Sequence, residues 1–170
     1  MPAGHDRPTP SKVALFKHPL HPITVVFPTA FLTATFASDL AFWWRSDPFW
    51  AQVSFWLATC GFFAGVLAAL LGFAEFLLVR EVRARLAGWT HMLAAVMALA
   101  LAGANAQLRL ADPVAAVLPW GLVLSAVMAG MVTVAGWIGG TLTFGHGVGT
   151  YVHRHDEPAD DDLLDPPDPD

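Results

Sequence analysis

Four long apolar runs, separated by short polar stretches, dominate the chain. They cover residues 23–44, 50–79, 88–108 and 114–144. Each reaches the roughly 20 residues that a helix needs to cross a hydrocarbon core about 30 Å thick. Backbone groups in that core must be paired within their own segment, so the runs predict helices. The second and fourth runs exceed the minimum, which predicts tilt or projection beyond the bilayer. The connections are short: Arg45 to Pro48, Arg80 to Arg85, and Arg109 to Pro113. Short connections make successive helices antiparallel neighbours. The predicted fold is therefore all-α, an integral membrane four-helix up-down-up-down bundle over residues 18–150. A polar arm, residues 1–17, precedes it. A tail rich in Asp and Pro, residues 153–170, follows and is expected to be disordered.

Local features refine this layout. Pro28 removes a backbone donor inside the first run and predicts a kink there. His18 and His21 each precede a proline, in His18-Pro19-Leu20-His21-Pro22. A residue before proline is biased away from the helical region, so an extended lead-in to the first helix is expected. Trp43, Trp44, Trp50 and Trp89 mark helix edges, where amphipathic indoles are favoured. Gly61-x-x-x-Gly65 and Gly136-x-x-x-Gly140 permit close helix approach, either within the bundle or between copies of a homo-oligomer.

Composition agrees with lipid as the main solvent. Hydrophobic residues make up 55% of the chain and charged residues 14%, against about 25% charged in a soluble domain. Mean hydropathy is +0.52. The formal net charge of −5 comes from the C-terminal tail. No basic surface points to nucleic acid. The single cysteine, Cys60, excludes an intrachain disulfide and any Cys-based metal cluster. Lysines and arginines gather on one face: Arg7, Lys12, Lys17, Arg80, Arg83, Arg85 and Arg154, against Arg45 and Arg109 opposite. That asymmetry predicts cytoplasmic termini in a multi-pass protein of a bacterial cytoplasmic (inner) membrane.

The same topology brings His18, His21, His91 and His146 to the cytoplasmic side. Glu75 joins them, only about 7 Å along its helix from Arg80. His5, His153 and His155 belong to the solvated ends. Imidazoles are the usual nitrogen ligands of haem iron, zinc and copper. A b-type haem between helices needs two facing imidazoles and an apolar slot. His18, His21, His91 and His146 are thus the candidate haem-iron or metal ligands. Glu75 is a candidate to orient an imidazole. Gly140, Gly145 and Gly147 are candidates to make room for a flat group beside His146. Asp39 is expected to pair with Arg45 or Arg109.

Several stretches resemble one bacterial membrane family, domain of unknown function 2231. They are His18-Pro19-Leu20-His21-Pro22 with Phe27-Pro28 and Asp39, Gly72 to Glu75, His91, and Gly136-Trp137-Ile138-Gly139-Gly140 with His146-Gly147-Val148-Gly149. An Asp is more usual in that family where Glu75 stands. The resemblance covers about residues 17–150. It implies four helices and makes these positions the ones to test, without implying a reaction or cofactor.

The expected function is membrane redox chemistry with haem b, or another metal, near the cytoplasmic face. A redox partner or larger membrane complex belongs to that expectation. The alternative is a non-catalytic accessory subunit or small transport-related module with a structural His/Glu cluster. No nucleophile–base pair stands out, so an enzymatic activity of the chain alone is not expected.

Overall fold

A computed structural model describes residues 10–16, 18–145 and 147–149. His146, the tail histidines and the acidic tail lie outside the described residues. A two-residue antiparallel pairing of β1 (Ala14–Leu15) with β2 (His18–Pro19) leads into the first span. That span comprises α1 (Leu20–Thr24) and α2 (Val26–Arg45). It is followed by α3 (Pro48–Leu78), the one-turn α4 (Arg80–Arg83) and α5 (Leu86–Leu108). The last span comprises α6 (Pro113–Ala116), a kink at Val117–Gly121 where Leu118 is extended (φ −112°, ψ 134°), α7 (Leu122–Gly140) and a wider final turn at Thr141–Gly145. Among the described residues, four helices are long and apolar enough to cross a membrane: Leu20–Arg45, Pro48–Leu78, Leu86–Leu108 and Pro113–Gly145. The chain is thus an all-α membrane bundle.

The helix ends follow from their sequences. Asp47 and Asp112 cap α3 and α6, each ahead of a proline at the first helical position. The Asp47 carboxylate accepts from the Phe49 amide at 2.9 Å. The Asp112 carboxylate accepts from Val114 and Ala115 at 2.9 and 3.1 Å. These bonds satisfy amides that have no intrahelical acceptor. His18 is extended, as expected before Pro19, but His21 already lies in α1 despite Pro22. Pro22 falls in the first helical turn, where its missing N–H has no intrahelical acceptor to lose. The break between α1 and α2 falls at Val25, three residues before Pro28. Pro28 cannot donate to the Thr24 carbonyl, so the turn loosens there.

Around the bundle axis the long helices run in the order α2, α3, α5, α7, with α7 closing against α2. The small residues sit where helices meet. A Cβ at Gly61 would lie 2.5 Å from Leu32 Cδ2, so α2 and α3 touch there within the chain. Gly136 has open space around its Cα, so the second glycine pair contributes no equivalent contact.

The two helical hairpins repeat one another. Along α1–α2 and α5, equivalent residues stand 70 positions apart: His21 and His91, Pro28 and Ala98, Leu32 and Ala102, Thr35 and Asn105, Asp39 and Arg109. Along α3 and α7 the displacement is 67: Ser54 and Gly121, Ala58 and Ser125, Gly61 and Met128, Ala68 and Ala135, Gly72 and Gly139. Both members of each pair fall in the same burial class. Side-chain size is exchanged at the centre, where Leu32 and Gly61 in one hairpin answer Ala102 and Met128 in the other. Leu32, Ala102 and Met128 share the central apolar cluster with Ala98 and Val132. Because α1–α2 and α5 start at the same end, the repeats are related by a pseudo-two-fold axis along the bundle.

Equivalent residues meet across that axis at both ends. At one end are His21 and His91. At the other, about 27 Å along the helix, Asp39 and Arg109 form a fully buried ion pair at 2.5 Å. Ser54 Oγ donates to Asp39 at 2.5 Å, and Arg109 donates to the Asn105 carbonyl at 3.3 Å. Arg109 is therefore the partner of Asp39.

Candidate functional site

The histidine end of the bundle contains a half-open cavity of about 550 Å³. Residues of all four spans line it, together with Ser11, Val148 and Gly149. Apolar side chains such as Val66, Leu70, Phe73, Met92 and Leu99 make most of the wall. His21, His91 and Glu75 are its titratable members among the described residues.

The two imidazoles are held in the same way. His21 Nδ1 lies 2.9 Å from the Ala68 carbonyl of α3. His91 Nδ1 lies 2.9 Å from the Ala135 carbonyl of α7. A carbonyl only accepts, so Nδ1 carries the hydrogen in each ring and Nε2 keeps its lone pair when the ring is neutral. Each ring also rests on a glycine one turn beyond that carbonyl. A Cβ at Gly72 would come within 2.8 Å of His21 Nδ1 and Cε1. A Cβ at Gly139 would lie 3.0 Å from His91 Cε1 and 3.2 Å from Nδ1. Ala68-x-x-x-Gly72 and Ala135-x-x-x-Gly139 are thus two copies of one imidazole seat. The rings meet in an edge arrangement across the pseudo-two-fold axis, with centroids 6.0 Å apart and planes at 79°.

The other nominated residues sit differently. His18 is exposed, with Nδ1 2.9 Å from the Phe16 carbonyl, and does not line the cavity. Glu75 lines it, but the described hydrogen bonds of its carboxylate go to the N-terminal segment. Ser11 Oγ donates at 2.9 Å, the Lys12 amide at 3.0 Å and the Val13 amide at 2.7 Å. Glu75 therefore ties that segment over the cavity. The nearest neighbours of Gly140 and Gly145 are Phe144 and Thr141 of their own helix end. Gly147 takes a left-handed backbone, φ 64°. Gly139, one residue before Gly140, is the glycine that meets an imidazole. Among the described residues, no three or more His, Cys, Asp or Glu side chains gather as metal ligands.

Residues 17–151 match the family described as predicted membrane protein, DUF2231. The chain belongs to the DUF2231 family. The match spans all four helices, both imidazole seats and the Asp39–Arg109 pair. No curated protein and no solved structure matches the chain.

Proposed function

We propose that this DUF2231 protein binds b-type haem in the cavity between His21 and His91 and serves membrane redox chemistry. The observation that carries the reading is the pair of Nδ1–H···O=C bonds. A backbone acceptor on one ring nitrogen fixes the tautomer, orients the ring and raises the basicity of the other nitrogen, as in metal-ligating histidines. Two such rings border a largely apolar space whose volume suits a cofactor-sized ligand. The apolar wall favours haem over a bare ion. A dication held by two neutral imidazoles in a low-dielectric cavity keeps its full charge and lacks further ligands. A porphyrin brings four nitrogens and two compensating negative charges of its own.

In this reading the histidine end faces the cytoplasm of a bacterial inner membrane. The basic residues of the second connection, Arg80, Arg83 and Arg85, lie at that end. At the opposite end Arg109 is buried with Asp39, so it adds no free charge to its connection. The count of Lys and Arg in the connections is the support for this orientation.

A second reading has its own support. The same two hydrogen bonds bridge α1 to α3 and α5 to α7, as interhelical struts do in lipid. An accessory subunit with a purely structural histidine pair needs only these bonds. Protein purified after haem-replete expression separates the two. The haem reading expects a Soret band that is lost in His21→Ala and His91→Ala. A colourless, folded protein would leave the structural reading standing.

A further inference from the structure

We infer that the site is a two-fold symmetric bis-imidazole site, in which His21 and His91 are equivalent axial ligands with crossed ring planes. This rests on the haem reading and specifies its coordination. His21 and His91 occupy equivalent positions in the two hairpins, and each has the same seat. Ala68 O and Gly72 hold one ring, and Ala135 O and Gly139 hold the other. Neither seat differs in a way that makes one histidine a firm ligand and the other a loose neighbour.

The spacing agrees. A metal–imidazole bond of about 2.0–2.1 Å puts the ring centre roughly 3.2 Å from the metal, so opposed ligand rings have centroids about 6.4 Å apart. The observed separation is 6.0 Å. Each ring is constrained twice, by the carbonyl at Nδ1 and by the glycine against its Cε1–Nδ1 side. The 79° angle between the planes is therefore set by the helices that carry the seats. If His21 and His91 both held a haem iron, no position would be left for dioxygen or a substrate. The site suits electron carriage, with Gly72 and Gly139 as positioning residues.

Electron paramagnetic resonance of the ferric wild-type protein, with an optical titration by carbon monoxide on the ferrous form, tests the inference. Crossed imidazole planes give a low-spin signal dominated by one large-g feature, and the ferrous form leaves carbon monoxide unbound. A rhombic low-spin signal would overturn the crossed-plane assignment. A high-spin signal or a carbon monoxide adduct would overturn bis-imidazole ligation while the Soret band, and with it the haem reading, stood. Absence of the Soret band would overturn both. The glycine seats add a second readout: Gly139→Ala pushes on His91 and shifts the large-g feature, whereas Gly136→Ala, in open space, leaves it unchanged.

Discussion

Replacing Arg109 with leucine leaves Asp39 buried in a membrane bundle without its cation. Both side chains of the pair are fully buried and their closest atoms lie 2.5 Å apart. Removing one partner of such a pair costs about 3–5 kcal/mol, because the remaining charge keeps its desolvation penalty. For a chain of this size each kcal/mol shifts Tm by about 2–4 °C, so Arg109→Leu should lower Tm by roughly 6–20 °C. The internal repeat makes a sharper prediction. Asp39 and Arg109 occupy equivalent positions, so exchanging them keeps one cation and one carboxylate at the same contact across the axis. Ser54 favours Asp39, and Gly121 leaves room for Arg109: a Cβ there would lie 3.0 Å from Arg109 Nη2. The exchange Asp39→Arg with Arg109→Asp should therefore recover part of the loss, with Gly121 kept in place because a Cβ there would also lie 2.5 Å from the Ala116 carbonyl oxygen. The assay is thermal unfolding of detergent-solubilised protein, followed by tryptophan fluorescence. A single Arg109→Leu variant as stable as wild type would refute the burial argument. An exchanged protein no better than the single variant would refute the equivalence of the two positions.

The other expectations concern the core, the N-terminal segment and the ligand site. Leu32→Ala should cost about 2–5 kcal/mol through its cavity, and Gly61→Met about 1–3 kcal/mol through overpacking. The double variant reproduces the Ala102/Met128 arrangement of the second hairpin and should unfold closer to wild type than either single variant; additive losses would count against the repeat. Glu75→Gln removes the charge that receives three hydrogen bonds from Ser11, Lys12 and Val13. Charge-assisted bonds contribute about 1.5–3 kcal/mol each when shielded; these are partly exposed, so trypsin cleavage after Lys12 should quicken by about tenfold. An unchanged rate would show that other contacts hold the segment. His18→Ala should leave any Soret band intact, because His18 lies outside the cavity.

The fold was legible because each crossing needs a long apolar run and each connection carried charge, proline or both. Helix boundaries shifted by only a few residues, as at Leu20 and Leu86. The Asp-Pro steps at Asp47 and Asp112 fixed where the even-numbered spans begin. Topology and rise per residue suffice to expect His21, His91 and Glu75 near one another, and the three line one cavity. The repeat was hidden because the hairpins share burial rather than identity. Leu32 answers Ala102, Gly61 answers Met128, and an acid answers a base. One signal was present: Ala-x-x-x-Gly follows His21 and His91 at nearly the same distance, ending at Gly72 and Gly139. The dense glycines beside His146 point instead to Gly140, Gly145 and Gly147. The engagement of Glu75 by Ser11, Lys12 and Val13 depends on how the N-terminal segment folds back, which helical periodicity does not encode.

The most direct measurement is the visible absorption spectrum of the full chain, purified from haem-replete cells, alongside His21→Ala and His91→Ala. Haem held between His21 and His91 gives a Soret band with stoichiometric haem in the wild type and its loss or marked weakening in each variant. A wild type that is folded and colourless, or variants that keep the full band, would contradict a haem held between His21 and His91.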